Sequence, residues 1–271
     1  MTAKSEDDTP PEHRTGAQPE HRTDPPPGIP SPWNRPQKRR TQPALSRDQI
    51  VAEASALLDA EGIESLSMRK LGARLNAGAT SLYTHVANKD ELLALVVDHV
   101  FGQLPLPAAE GCEDPAVWRE RVLECAEGMR SVILRHPWMI TVFGDVGVVY
   151  LGPNWMRLSE HMLTVMETAG FGLVDANEAM SAIMGYTIGT ACVEAAWLSA
   201  LHKSGQDERV WLNQLMPAVI EATRDYPRLN RLYTTEVQRE VNEGSRDSSF
   251  ARGVKVITDG IEAHRAARQR G

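Results

Sequence analysis

Between Leu45 and Leu104 apolar residues return every third or fourth position in four short bursts, punctuated by small polar residues, glycine, asparagine or proline. That spacing builds one-sided helices and leaves no place for alternating strands. Ser46 is a good N-cap, and Ile50, Ala54, Leu57 and Leu58 form a single stripe that stops at Gly62. Ser67 opens a second, short helix with Met68, Leu71 and Leu75 on its buried face and Arg69, Lys70 and Arg74 turned away. Asn76, Ala77 and Gly78 break it, since Asn and Gly tolerate the positive φ of a tight turn. A third segment runs from Ala79 to Val86. Asn88 and Glu91 then form an N-x-x-E start, resembling a capping box, to a long apolar helix that ends at Pro105 and Pro107.

The third segment carries the chemistry. Leu82 and Val86 lie one helical turn apart and pack inward, which leaves Thr80, Ser81, Tyr83, Thr84 and His85 outside. A solvent face is ordinarily cloaked in Lys and Glu, whereas short donors and acceptors are what reach base edges on a groove floor. Charge is partitioned to match. The net −7 of the chain divides into +1 over residues 1–43, zero over 44–89 and −8 over 90–271. Residues 66–89 hold Arg69, Lys70, Arg74 and Lys89 with no acid, the footprint that a phosphate backbone requires.

On these residues the stretch Leu45 to Phe101 resembles the DNA-binding end of the TetR family of transcriptional regulators. The likeness rests on the run Gly62-Ile63-Glu64-Ser65-Leu66-Ser67-Met68-Arg69-Lys70-Leu71, on Ser81-Leu82-Tyr83-Thr84-His85-Val86, and on Asn88-Lys89-Asp90-Glu91-Leu92-Leu93. The resemblance implies an all-α homodimer: an N-terminal three-helix helix-turn-helix domain, and a larger C-terminal helical domain that binds an effector and dimerises. By position it implies phosphate contacts from Ser67, Tyr83, His85 and Lys89, and base or near-base contacts from Arg69, Thr80, Ser81 and Thr84. Three of these have plainer readings. Tyr83 can be a core aromatic, His85 a cap of the short helix, and Arg69 the partner of an acid on the first helix.

Residues beyond Pro115 are more weakly similar to the tetracycline-repressor branch, through Gly170-Phe171-Gly172-Leu173, Asp175-Ala176 and the run Ser181 to Gly189. Where that branch places a metal-ligating His before Leu-Gly, Tyr150-Leu151-Gly152 stands here. A neutral phenol is a poor ligand for a hard cation, so a magnesium-tetracycline effector does not carry over. Helix breaks predict helices from Pro115 to about His136, Pro153 to about Thr168, Asp175 to about Ala200, Asp207 to Thr223, Pro227 to Asn242 and Ser249 to Ala267. Five of six Trp and eight of ten Met lie between Pro105 and Ile220. Most fill a core, but Trp138, Phe143, Tyr150, Trp155, Met184 and Tyr186 are candidates to line a pocket for a small hydrophobic effector. Apolar faces left over suggest that the helix from Asp175 and the last helix, through Phe250, Val254, Ile257 and Ile261, pair with their symmetry mates in a four-helix bundle.

The remaining features bound the function. Residues 1–43 hold ten of the seventeen prolines and five apolar residues, a composition expected to be disordered, with a cationic end at Arg35, Lys38, Arg39 and Arg40 suited to phosphates or a minor groove. Pro-Glu-His-Arg-Thr occurs twice in this tail, at 11–15 and 19–23. Three unpaired cysteines and no apolar leader fit a cytoplasmic chain. The uncharged run 179–193 is shorter than the roughly 20 residues a bilayer span needs. No nucleophile elbow, P-loop, H-E-x-x-H or Rossmann glycine run is present, and the eight His are dispersed, so neither an enzyme nor a metal or cofactor is expected. Domains at 1–43, 44–90 and 91–271 follow. The leading reading is a sequence-specific regulator on a palindromic double-stranded DNA operator, a repressor released by an effector. The alternatives are a DNA-binding regulator without an effector, and an all-helical small-molecule binding protein with a vestigial helix-turn-helix.

Overall fold

The computed structural model describes residues 45–146, 152–243 and 246–268, with the backbone alone for 143–146 and 236–243. The proline-rich tail, its repeat and its cationic end lie outside the described residues. Every element among them is helical: α1 Arg47–Glu61, α2 Met68–Arg74, α3 Ala79–Tyr83, α4 Lys89–Phe101, α5 Pro115–Arg135, α6 Met139–Val146, α7 Pro153–Thr168, α8 Leu173–Ser204, α9 Glu208–Ala222, α10 Pro227–Glu243 and α11 Arg246–Arg268, with a single 3₁₀ turn at Ile63–Ser65.

Local chemistry sets most boundaries. Ser46 and Gln49 make a reciprocal capping box on α1, Oγ of Ser46 accepting from the Gln49 amide at 3.1 Å and Oε1 of Gln49 from the Ser46 amide at 2.9 Å. Gly62, at φ 77°, supplies the left-handed exit. Asn88 caps α4, its Oδ1 accepting from the Glu91 amide at 2.7 Å. Glu91 answers one residue earlier than an ordinary box, its Oε2 accepting from the Ala87 amide at 2.6 Å, while its Oε1 accepts from Arg47 at the start of α1. One carboxylate thereby pins two helix starts together. Asp114 caps α5 ahead of Pro115, and Gly205, left-handed at φ 66°, closes the 32-residue α8.

Helices α1 to α4 close on a core of Ile50, Leu57, Leu58, Leu71, Leu82, Leu92 and Val96. A second layer is built by α5, α7, α8 and α11 around Trp118, Met129, Ile133, Leu158 and Met166. Trp118 meets Phe171 edge to face at 5.3 Å. Arg130 of α5, 8% exposed, donates twice to Glu194 of α8 at 2.7 and 2.8 Å and once to Asp247 of α11 at 2.8 Å, which satisfies a buried guanidinium and ties three helices. Helices α9 and α10 pack chiefly on each other, and α9 buries no residue fully.

Three expectations change. Helix α6 is additional to the predicted helices, because its eight residues fall between Pro137 and Pro153 in an apolar run too short to declare its period. The third helix ends at Tyr83 rather than Val86, with His85 and Val86 both donating to the Leu82 carbonyl in a closing turn. Of the turn residues, only Asn76 takes positive φ, at 49°, while Gly78 is the extended N-cap of α3. No helix among the described residues is long and apolar enough to cross a membrane.

Candidate nucleic-acid interface and effector cavity

The short helices α2 and α3 are held at a fixed angle by a contact that only glycine permits. The Ala77 amide donates to the Gly72 carbonyl at 2.8 Å, and a Cβ on Gly72 would stand 2.6 Å from the Ala77 carbonyl oxygen. Leu82 and Val86 are wholly buried. The opposite flank of α3 is open: Thr80, Ser81, Tyr83 and Thr84 are exposed, Tyr83 by 50%, and His85 is half-buried. Tyr83 therefore does not fill the core of this protomer. Ser67 caps α2, its Oγ accepting from the Lys70 amide at 3.2 Å, which leaves the hydroxyl proton for an outside acceptor. Thr84 spends its proton inward, donating to the Ser81 carbonyl at 2.7 Å, so only its lone pairs and methyl face outward.

The cationic collar is thinner than the sequence implied. Lys70 pairs with Glu61 and Arg74 with Glu53 and Glu61, all acids of α1 that lie 9 to 21 positions upstream and meet α2 only in the fold. Of the four cations between residues 66 and 89, Arg69 and Lys89 are exposed and enter no ion pair among the described residues.

In the body, a cavity of about 10 Å³, at most the room for a single water, lies between α5, α7 and α8. Its walls are Val122, Cys125, Ala126 and Met129 of α5, Met162 of α7, and Met180, Ile183, Met184 and Thr187 of α8. None is charged, and the one hydroxyl, Thr187, donates to its own helix at Ile183. Burial pushes the Cys125 thiol up to about 12. Met184 is thus at the cavity, but the other pocket candidates are placed elsewhere. Trp138 donates its indole N–H to Asp59 at 2.7 Å. Trp155 packs on Phe101 at 5.1 Å, and Tyr186 stacks on Phe250 at 5.6 Å while its hydroxyl donates to the Phe250 carbonyl. The side chain of Phe143 and all of Tyr150 lie outside the described residues. Sequence reasoning favoured large aromatics over the methionines at 129, 162 and 180, which stand one on each of three helices, so no spacing along the chain marks them as neighbours.

A second, open groove of about 280 Å³ runs between the start of α8 and the end of α11, with Asp175, Glu178, Ala182, Ile257 and His264 on its walls. Beside it α8 exposes Ala182, Gly185, Gly189, Val193 and Ala196, and Val193 and Val256 are 73% and 71% exposed. The expected bundle face needs correcting here: Phe250 and Val254, 5% and 2% exposed, pack inward against this protomer and are unavailable to a partner.

An all-helical body carrying a short helix whose polar flank is held outward by a helix-turn-helix defines a DNA-binding transcriptional regulator. Residues 50–96 match the family described as bacterial regulatory proteins, tetR family, and residues 111–265 match the tetracyclin repressor-like C-terminal domain. The chain belongs to the TetR family. It is 36% identical over 232 residues to an HTH-type transcriptional regulator of Saccharopolyspora erythraea, covering 85% of this chain and 91% of that protein. It is 32% identical over 233 residues to the HTH-type transcriptional repressor DrrR1 of Streptomyces coeruleorubidus, covering 85% and 82%. Among solved structures, ActR of Streptomyces coelicolor in complex with actinorhodin superposes with a TM-score of 0.67 at 28% identity, over 82% of this chain and 98% of that one.

Proposed function

We propose that two copies of this chain grip a palindromic operator, each laying α3 in a major groove with the two reading helices one turn of DNA, roughly 34–36 Å, apart. Residues 44–90 form the reading domain and 91–271 the domain that dimerises and takes the effector. Arg69, Thr80, Ser81 and Thr84 face bases; Ser67, Tyr83, His85 and Lys89 take phosphates, and the cationic end of the 1–43 tail adds charge. The observation that carries this reading is the outward flank of α3, made of short hydroxyls around a half-exposed Tyr83.

The effector enters between α5, α7 and α8. A wall of thioethers, methyls and one neutral thiol rewards a flat, uncharged aromatic molecule and offers nothing to a metal chelate. That ActR is solved in complex with actinorhodin supports a small-molecule effector. Because a space of about 10 Å³ is far too small for an organic molecule, a ligand must part the helices and so discriminates between two geometries, which is the condition for shifting DNA affinity. The open groove on α8 and α11, with its small residues, takes the partner protomer instead.

DNA recovered by selection from a random pool, titrated by fluorescence anisotropy, tests the reading. Saturable binding to the selected sequence, lost in the Arg69→Ala, Tyr83→Ala double variant, is expected. Equal affinity for a scrambled duplex overturns it.

A further inference from the structure

Among the described residues, the polar bonds that cross from α1–α4 to the body are few; beside Arg157 donating to the carbonyl of Gly102, the C-cap of α4, they converge on two aspartates, Asp98 of α4 and Asp59 of α1. Asp98 of α4, 4% exposed, accepts from the backbone amides of Asn154 and Trp155 at 3.1 and 3.0 Å and from the Asn154 amide group at 3.0 Å. It thereby caps α7, whose own N-cap is Gly152 and has no side chain to offer. Asp59 of α1 is different. It lies at the rim, and a single carboxylate oxygen accepts from His136 Nδ1 at 2.6 Å and from Trp138 Nε1 at 2.7 Å. The other imidazole nitrogen, Nε2 of His136, is buried with no partner among the described residues, so among them Asp59 alone satisfies this ring.

His136 is the C-cap of α5, and Met129 on the cavity wall lies seven residues before it, roughly 10 Å along the same rigid helix. Whatever displaces the middle of α5 moves the imidazole at its end. Asp98 cannot follow, because it holds two backbone donors of the first turn of α7 in a buried site.

We propose that Asp59 is the positioning residue through which occupation of the cavity reaches the DNA-binding helices: parting α5 from α8 draws His136 and Trp138 off Asp59, and the reading domain swings about the Asp98 cap. The proposal rests on the cavity being the effector site. Once the latch opens, α1 moves with α4, to which it is clamped through Arg47 and Glu91, and α2 and α3 are carried along.

A wedge built into the full-length protein replaces an unidentified effector in the test. Ala126→Phe overfills the cavity from α5, with Ala126→Leu as the milder wedge if the larger ring prevents folding. Each is made with Asp59 intact and in Asp59→Ala, and anisotropy gives the affinity for the selected operator. With Asp59 present the wedge is expected to shift that affinity by at least about tenfold. In Asp59→Ala the same wedge is expected to shift it by less than about threefold, since the two changes share one path. A wedge effect of threefold or more surviving without Asp59 overturns the latch and leaves the cavity reading standing. Folded wedges that miss the tenfold shift with Asp59 present remove the cavity reading and the latch with it. The indole N–H resonance of Trp138, assigned by its loss in Trp138→Phe, must move in the wedge variant with Asp59 intact. A stationary resonance alongside a shifted affinity also overturns the latch.

Discussion

At the residue scale, what a side chain can still donate separates roles that sequence position alone treats alike. Ser67 uses an acceptor for its helix and keeps its proton, whereas Thr84 gives its proton to Ser81 and keeps a methyl and lone pairs. Tyr83 projects a ring and hydroxyl into solvent beside Leu82, which is buried completely. Tyr83→Phe is therefore expected to weaken binding by a similar factor on every duplex, while Thr80→Val alters preference among base pairs. Selection on randomised operators with each variant checks this. Cys125 offers a prediction of another kind. With its thiol pushed up to about 12, only on the order of one molecule in 10⁴ is thiolate at pH 8. Iodoacetamide should leave Cys125 unmodified in the folded protein, as read by peptide mass mapping. The linked stability has a definite sign: the native state retains the proton, so the contribution is full below about pH 9 and fades as pH rises toward 12.

At the element scale, the reading head depends on two helices of seven and five residues that are too short to stand alone. Their angle is fixed by packing, by Leu82 and Val86, and by the close approach at Gly72. Gly72→Ala places a methyl against the Ala77 carbonyl, with an expected loss of about 1–3 kcal/mol in denaturant unfolding and loss of operator binding. Asp98→Ala strips the cap from α7 and leaves buried amide donors unpartnered, with a similar expected cost of about 1–3 kcal/mol. Asp59→Ala also strips buried donors, those of His136 and Trp138, of their acceptor, but at a rim that water can reach, so its expected cost lies near about 1 kcal/mol, the lower end of that range. The two aspartates sit on adjacent helices and look equivalent as letters; burial separates them.

At the scale of the whole molecule, α8 is both wall and face. Its inward side holds Met180, Ile183 and Thr187 against the cavity, and its outward side shows Gly185, Gly189 and Val193 to solvent. Small residues let a second helix approach closely, and a highly exposed valine there fits burial against a second copy. Val193→Arg is expected to give a monomer in sedimentation, with the helical circular-dichroism signal kept and operator affinity reduced at least about tenfold. A variant that remains dimeric and binds as before would place the partner on another surface.

Read as a sequence, the chain determined the helices, their caps and the inward pair Leu82 and Val86, because spacing and capping are local and neighbours on one helix lie three or four positions apart. It also marked the hydroxyl flank of α3, since the absence of Lys and Glu there is visible without coordinates. It misjudged what depends on distant partners. Glu53 and Glu61 reach α2 only when α1 folds back, which halves the free cations of the collar. The aromatics chosen for the pocket are engaged at Asp59, Phe101 and Phe250, and the cavity is instead walled by methionines from three helices. Tertiary structure alone decided which face of α11 is inside and which aspartate holds the body, because burial and long-range hydrogen bonds belong to pairs of helices and are written in neither helix separately.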